Sequence, residues 1–273
     1  MDTPKLPLIM GILNITPDSF SDGGKFMSVD AALKQTERMV KDGADIIDIG
    51  GESTRPGSLP VSLQEEKDRV LPVLEKIAKN LSVRISIDTQ KFEMASEAIP
   101  LGATIINDVS GGRDIRMLSL LKDRAITYIL MHMQNTPETM QENPVYPNGV
   151  VQEVKNFLRD RVRKFKESGV QPSQLWVDPG IGFGKTTQHN LDLLRHLEMF
   201  KEVGHRLVIG TSRKGFLTKV SGKDVLSENE KLSGTVTTNL WASQNGASVF
   251  RVHDVAEMKL ALTLLDGIRH GSF

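Results

Sequence analysis

Short apolar runs rich in β-branched residues alternate with longer amphipathic segments along the whole 273-residue chain. This alternation is typical of βα units whose strands form a parallel sheet. Eight strand–helix units in a chain of this length predict an α/β fold, a single-domain (β/α)8 barrel. The predicted strands are Leu8–Leu13, Ala44–Ile49, Arg84–Ile87, Thr104–Ile106, Ile126–Met131, Leu175–Val177, Arg206–Ile209 and Ser248–Val252.

Helical patterns fill the intervals between these strands, and some carry terminal signals. In the first helix, Ser28 is a candidate N-cap and Gly43 follows the last turn. The Pro-rich stretch Asn143–Asn148 is the best candidate linker, but periodic patterns resume beyond it, so one domain over residues 1–273 is predicted. The clearest predicted helices are Ser28–Asp42, Leu63–Asn80, Val150–Ser168 and Asp254–Arg269.

A doubly wound open sheet is the competing architecture. Its Gly-rich phosphate turn should follow the first strand, whereas this strand leads into Asn14-Ile15-Thr16-Pro17-Asp18. The segment Gly180–Thr186 resembles two nucleotide motifs and misses both by one residue. Pro179 stands where a P-loop needs glycine, and Lys185 stands where the dinucleotide fingerprint needs its third glycine. We interpret these glycines as a tight turn that lets backbone approach a ligand.

Composition excludes several classes of protein. Lys plus Arg equals Asp plus Glu at 34 each, which argues against a broad nucleic-acid or membrane footprint but not against a local cationic pocket. The absence of cysteine excludes disulfides and thiolate catalysis and favours a reducing compartment. The N-terminus has no signal-peptide pattern, and no apolar run is long enough to cross a bilayer. A cytoplasmic protein without nucleic-acid or membrane partners is expected.

Polar residues follow almost every predicted strand at its C-terminal end, the face on which barrel active sites are built. A single Asp or Asn after a strand is more often a helix cap or turn former, so the prediction depends on convergence. Asp88, Asn107 and Asp178 follow apolar runs with no intervening turn residue, which favours side chains held over the barrel mouth.

Two kinds of polar group are present at these ends. The two carboxylates and the amide just named suit a flat heterocycle that carries NH and NH2 groups. Cationic donors suited to phosphate oxygens form the second kind. Together they predict a site for a nitrogen heterocycle joined to a phosphate or diphosphate, and no nucleophilic triad or H-E-x-x-H metal motif is evident. The cationic set is Arg55, Lys214, Arg251 and His253.

Eight segments, in order along nearly the whole chain, resemble the motifs of the dihydropteroate synthase family. They are Asn14–Gly24, Gly50–Gly57, Ser86–Thr89, Asn107–Gly112, Met131–Gln134, Asp178–Gly184, Ser212–Lys214 and Arg251–Val255. The resemblance implies a transferase that condenses a dihydropterin-methyl diphosphate with p-aminobenzoate, giving 7,8-dihydropteroate and diphosphate. It also implies a homodimer and a bound Mg²⁺.

The resemblance further implies roles for individual residues. Asp22, Arg55 and Lys214 are expected to be catalytic, and Asn14 to hold Mg²⁺. The expected pterin diphosphate ligands are Thr54, Asp88, Asn107, Asp178, Lys214, Arg251, Val252 and His253. The expected p-aminobenzoate slot is formed by Phe20, Pro56, Phe183, Lys214 and Gly215.

The implied reaction is consistent with these residue types. An arylamine is already a neutral nucleophile, so the main task is to stabilise the departing diphosphate with Mg²⁺ and cationic side chains. The remaining carbon is conjugated to the electron-rich pterin, which favours an SN1-like path. Asp22 either stabilises that cation or accepts the amine proton, and both roles stay open. The long segments Asn14–Met27 and Gly51–Pro60 hold few large apolar residues, so we expect mobile loops that close over bound ligands.

Two positions depart from the family pattern, and two other functions compete. Gly215 stands where many relatives carry serine, which leaves backbone N–H groups to meet the aminobenzoate carboxylate. Asn135 replaces a common glycine, and we expect a local loop change there. A pterin-binding methyltransferase that passes a methyl group to a corrinoid would not need the cationic set. The second alternative is a non-catalytic family member.

Overall fold

The computed structural model describes residues 6–15, 29–123 and 125–271. Eight parallel strands pair in chain order, and the eighth pairs with the first to close a barrel. The predicted fold class is therefore confirmed. The strands are β1 Leu8–Asn14, β2 Ile46–Gly50, β3 Arg84–Asp88, β4 Ala103–Asp108, β5 Thr127–Met131, β6 Leu175–Asp178, β7 Arg206–Ile209 and β8 Val249–Val252.

Alternate residues of each strand face opposite sides of the sheet, so the barrel has two cores. Inward residues near the strand starts form an apolar plug of Met10, Ile46, Ile105, Ile129, Trp176, Val208 and Val249. Outward residues such as Ile9, Ile47 and Ile87 pack into a second, larger cluster with the helices. Two residues further along β2, β4, β6 and β8, the inward positions are Asp48, Asn107, Asp178 and Arg251. The barrel is therefore apolar at its base and polar at its mouth.

Helices surround the barrel between successive strands, as the alternating pattern predicts. β7 is followed by two helices rather than one. The described helices are α1 Val29–Lys41, α2 Leu63–Asn80, α3 Phe92–Ala98, α4 Met117–Leu120, α5 Val150–Glu167, α6 Thr187–Arg195, α7 Gly215–Ser221, α8 Glu228–Gln244 and α9 Val255–His270. Short 3₁₀ turns span Ile99–Leu101, Pro172–Gln174 and Leu197–Phe200.

The predicted element boundaries agree with the structure to within about two residues, in line with the usual scatter of helix and strand ends. α2 has the predicted bounds, and Gly43 takes the left-handed φ of 102° expected after α1. The candidate cap Ser28 lies outside the described residues. β2 begins at Ile46 rather than at Ala44. The carboxylate of the preceding residue, Asp45, accepts a hydrogen bond from Ile9 N of β1 at 2.8 Å.

The candidate linker at Asn143–Asn148 lies in the connection from β5 to α5. Val145 donates its N–H to Gln134 Oε1 at 3.2 Å, and its carbonyl accepts from Gln134 Nε2 at 2.9 Å. These bonds attach the segment to the residues that follow β5. Among the described helices, none has the length and apolar character required to cross a membrane.

Candidate active site

An ion-pair cluster lies inside the barrel mouth, built by strands that are far apart in the chain. Arg251 of β8 donates from Nε to Asp48 Oδ2 of β2 at 2.6 Å and from Nη2 to Asp88 Oδ2 of β3 at 2.8 Å. Asn107 of β4 donates from Nδ2 to the same Asp48 oxygen at 3.2 Å. Because the inward positions of a closed barrel face a common axis, residues of four strands meet in one layer.

Several buried acceptors of this layer have no hydrogen-bond partner within the described residues. They include Asp48 Oδ1, Asp88 Oδ1 and Ser86 Oγ. Unpaired polar atoms are costly in a protein interior, so acceptors of this kind are suited to donors supplied by a ligand. Burial raises the pKa of Asp88 to about 7, while the nearby Arg251 charge opposes that rise.

Asp178, at the end of β6, supplies a further inward carboxylate. Its Oδ1 accepts from Gly180 N at 2.7 Å, which fixes the carboxylate against the turn that follows the strand. Burial raises the pKa of Asp178 to about 6, and its hydrogen bond with Gly180 and the charges of Lys214, Lys185 and Arg251 oppose that rise. At neutral pH this carboxylate is mostly ionised and can accept from ligand N–H groups.

Lys214 and Phe183, both expected in the p-aminobenzoate slot, are in direct contact. Lys214 Nζ lies 3.9 Å from the centre of the Phe183 ring, a cation–π arrangement. Burial lowers the pKa of Lys214 to about 8, and the Arg251 charge adds to the effect. The next residue, Gly215, begins α7, and a Cβ at this position would have no atom within 4 Å. The slot is therefore open at this residue.

His253 differs from its expected cationic role. Burial lowers its pKa to about 4, with further contributions from the Arg251 and Arg213 charges, so it is neutral at neutral pH. Its Nδ1 lies 2.9 Å from Ser212 Oγ, while its backbone N–H donates to the same oxygen at 3.3 Å. Asp254 instead pairs with Arg213 at 2.6 Å. No carboxylate orients His253 in the described contacts, and a serine–histidine–acid triad is not formed.

The segment Gly51–Pro60 carries Thr54, Arg55 and Pro56 above the mouth. A turn closes it, with Ser58 N donating to Arg55 O at 3.0 Å, and Gly57 N reaches Pro137 O at 3.1 Å. Arg55 is exposed and lies close enough to His253 for its charge to lower the histidine pKa further. Phe20 and Asp22, the other expected loop residues, lie outside the described residues, and the mobility of both loops stays a prediction.

Asn14 ends β1 beside the ion-pair cluster. A Cβ at Gly50 would be 3.8 Å from Asn14 Oδ1 and 3.7 Å from Asp88 Oδ2, so this glycine leaves room between the two oxygens. Mg²⁺ prefers oxygen ligands and is commonly held by one or two protein groups together with water and substrate phosphates. The described residues contain no cluster of three or more His, Asp or Glu suited to a metal. The side-chain oxygen of Asn14 is of the kind that Mg²⁺ prefers, and its expected role as a metal ligand stays a prediction.

Three residues at the strand ends have side chains that lie outside the mouth. Asp108 accepts from Ser110 N at 2.7 Å and Gly112 N at 2.8 Å, so its carboxylate stabilises a turn. His132 packs edge-on against Phe157 of α5, away from the mouth. The side chain of Val252 belongs to the outer apolar cluster and is fully buried there, and the expected role of this residue in binding pterin diphosphate stays a prediction.

Comparison with known proteins agrees with this geometry. Residues 10–253 match the family described as pterin binding enzyme. The chain is 45% identical over 251 residues to dihydropteroate synthase of Haemophilus influenzae, a match covering 92% of this chain and 90% of that protein. The chain belongs to the dihydropteroate synthase family of pterin-binding enzymes.

Solved structures of dihydropteroate synthases superpose closely on this barrel. The Yersinia pestis enzyme in complex with a sulfonamide drug has a TM-score of 0.89 at 38% identity, covering 97% of this chain and 94% of that one. The Xanthomonas albilineans enzyme in complex with 7,8-dihydropteroate has a TM-score of 0.85 at 37% identity, with the same coverage. The family fold thus extends over nearly the whole chain.

Against the dihydropteroate synthase pattern, the structure clarifies what sequence reasoning missed. Asn135, in place of glycine, has a φ of 61°, a left-handed conformation that asparagine tolerates, so this φ requires no rearrangement of the backbone. Asp48 was not expected in the site, although a charged residue in the middle of an apolar strand is a signal that could have identified it. Lys185 is buried beneath the turn after β6, which no local pattern indicates.

Proposed function

We propose that this chain is a dihydropteroate synthase that condenses (7,8-dihydropterin-6-yl)methyl diphosphate with p-aminobenzoate, giving 7,8-dihydropteroate and diphosphate. The observation that carries the proposal is the set of buried, partly unpaired acceptors at the mouth beside the Lys214–Phe183 pair. The acceptors suit the NH and NH2 groups of a pterin. The relatives named above support the same reaction class.

The pterin ring enters the mouth and meets Asp88, Asn107 and Asp178. Asp88 Oδ1 is a buried acceptor without a partner in the described contacts, so it receives a ligand donor without losing an existing bond. Asp178, fixed by Gly180, is preorganised in the same way. Arg251 holds Asp88 in place and so acts on the pterin as well as on the diphosphate.

The diphosphate leaves toward the cationic side of the mouth. Lys214 and Arg55 supply positive charge, and neutral His253 supplies an N–H donor rather than a charge. Its Nδ1 contacts Ser212 Oγ, and we assign the ring proton to Nε2, which then donates to the diphosphate. Asn14 would hold a Mg²⁺, which would supply positive charge to stabilise the departing diphosphate.

The reaction proceeds by an SN1-like path. The C–O bond to diphosphate breaks first, the arylamine nitrogen then bonds to the exposed carbon, and the amine loses one proton. Lys214 lies over Phe183, where it meets the diphosphate and borders the arylamine slot with Pro56 and Gly215. Asp22 either stabilises the cation or accepts the proton. Closure of the loops after β1 and β2 excludes water that would trap the cation.

The enzyme is proposed to act as a cytoplasmic homodimer over residues 1–273. Support for the dimer comes from α9, where Leu260, Leu264 and Ile268 share one helix face and are 61%, 59% and 81% exposed. A row of exposed apolar side chains on a helix is a common feature of protein interfaces. The cytoplasmic location depends on the absence of cysteine.

Diphosphate release in the presence of pterin diphosphate and Mg²⁺ tests the function. We expect release that requires p-aminobenzoate and yields a stoichiometric pteroate product. A methyltransferase would instead transfer a methyl group from a methylated folate to a corrinoid. A non-catalytic member would bind the pterin without turnover. Undiminished turnover in excess chelator would contradict the role of Mg²⁺ while leaving the condensation intact.

A further inference from the structure

Lys185 is a buried cation for which the reaction above has no use. It lies in the turn between β6 and α6 and is only 3% exposed. Its Nζ donates to Phe183 O at 2.9 Å and to His132 O at 3.3 Å, and it lies 2.9 Å from His132 Nδ1. These contacts use the three hydrogens of the ammonium group. No salt bridge joins Lys185 to a carboxylate in the part of the chain that the structure describes, although burying a charge is costly.

Short contacts connect this ammonium to Asp178. His132 N donates to the Asp178 carbonyl at 3.0 Å, and Gly180 N donates to the Asp178 carboxylate at 2.7 Å. A Cβ at Gly180 would be 1.9 Å from His132 O and 3.4 Å from Lys185 Nζ. Only glycine allows this approach. The end of β5, the turn after β6 and Lys185 therefore form one tightly packed unit behind the pterin carboxylate.

The charges around this unit act in a definite direction. Burial lowers the pKa of Lys185 to about 7, while the Asp178 carboxylate supports its charged form and the Lys214 charge opposes it. In its charged form Lys185 lowers the pKa of Asp178, against the larger effect of burial. Burial lowers the pKa of His132 well below its usual value, and the Lys185 charge lowers it further, so its neutral ring accepts at Nδ1. The other groups facing the unit are Arg251 from β8, Lys214 after β7, Arg113 after β4 and His189 in α6.

We propose that Lys185 is a positioning residue for the pterin site. Its ammonium holds the turn after β6 against the end of β5, and its charge keeps the Asp178 carboxylate anionic for the ligand. The contact with Phe183 O also fixes the backbone of the residue whose ring faces Lys214. This inference rests on the proposed function, because a pterin is the ligand whose donors Asp178 meets.

Two variants separate the charge from the hydrogen bonds. Lys185→Met removes both, whereas Lys185→Gln removes the charge and keeps an amide with two N–H donors. Lys164→Met is a matched control, because it removes the same charge from an exposed position on α5. Binding of 6-hydroxymethylpterin, which carries no phosphate, is measured by calorimetry between about pH 5.5 and 8.5. Titration of the ligand itself is common to all four proteins and cancels in the comparison.

We expect the wild-type affinity to fall in two steps as the pH is lowered, when Asp88 becomes protonated near pH 7 and Asp178 near pH 6. Lys185 is mostly charged through the lower step, whose midpoint is that of Asp178. Loss of the Lys185 charge raises the Asp178 pKa, so both variants should shift this midpoint upward. A shift of about one pH unit weakens binding about fivefold at the wild-type midpoint and leaves it nearly unchanged at the alkaline end. Lys185→Met should show an additional loss that is independent of pH, and Lys164→Met should follow the wild-type curve.

An unshifted midpoint in both Lys185 variants would overturn this inference and leave the proposed function intact. An equal loss of affinity at every pH would do the same, because a purely structural role has no pH signature. If Lys185→Met does not fold, the Lys185→Gln curve decides the question. Absence of pterin binding by the wild-type protein would overturn the proposed function, and this inference with it.

Discussion

Lys214 is partly buried, and the free protein only partly favours its charged form. Burial and the Arg251 charge lower its pKa to about 8, so at about pH 8 the Lys214 side chain is unprotonated in half of the molecules. A bound diphosphate stabilises the charged form and raises this pKa. Binding at about pH 8 should therefore take up roughly half a proton per site.

Calorimetry in buffers of different ionisation enthalpy measures this uptake. Lys214→Met, which has no titratable group, should abolish most of it and is the matched control. Proton release on binding, or an unchanged uptake in Lys214→Met, would show that Lys214 does not face the diphosphate.

Gly215 is the residue at which this chain departs from the serine of many relatives. The position is open, and its φ is not in the left-handed region, so a serine side chain fits without strain. Gly215→Ser should add one hydrogen bond to the p-aminobenzoate carboxylate and lower its KM by about 2- to 10-fold. Steady-state kinetics with Gly215→Ala as control distinguishes the hydroxyl from the added methyl group. An equal decrease of the KM in both variants would mean that a stiffer backbone, and not the hydroxyl, causes the effect.

At the scale of elements, a buried ion network joins the start of the loop after β2 to α2 and α3. Lys91, just before α3, pairs with Glu52 of the loop and with Glu66 of α2 at 2.6 Å, and Glu66 is only 1% exposed. Lys91→Met leaves this carboxylate buried without its cation and should lower the free energy of unfolding by about 2–4 kcal/mol.

Chemical denaturation of Lys91→Met and Lys67→Met provides the comparison. Lys67 pairs at 2.6 Å with Glu97, whose side chain is 51% exposed, so its loss should cost about 1 kcal/mol or less. Similar losses in the two variants would mean that burial of Glu66 does not govern the energetics of this network.

We predict that the loops after β1 and β2 together determine the order of binding. If they close only over pterin and diphosphate, p-aminobenzoate should bind that complex about 5- to 150-fold more tightly than the free enzyme. Equilibrium titration of p-aminobenzoate with and without pterin plus diphosphate measures the difference. Equal affinities would contradict loop closure as the step that completes the slot.

For the whole molecule, the exposed face of α9 predicts the oligomeric state. The double substitution Leu264→Glu and Ile268→Glu places charge on this face and should convert a dimer into a monomer in analytical ultracentrifugation. Ile115→Glu is the control, because Ile115 is 74% exposed but lies after β4, outside α9. A dimer that survives the double substitution would place the interface elsewhere.

The alternation of apolar runs and amphipathic segments was enough to predict the fold, because strand and helix periodicities depend on residues close together in the chain. The alternation of side chains along each strand also predicts from sequence that Asp88, Asn107 and Asp178 face into the barrel. The same alternation in β8 could have shown that the Val252 side chain faces outward. The charge states and pairings were decided only by tertiary structure. Arg251 meets Asp48 across 203 residues, and His253 is neutral because burial, together with the charges of Arg251 and Arg213, disfavours its cation. Lys185 became significant only because closure of the barrel buried it behind Asp178, since desolvation depends on atoms that the local sequence does not specify.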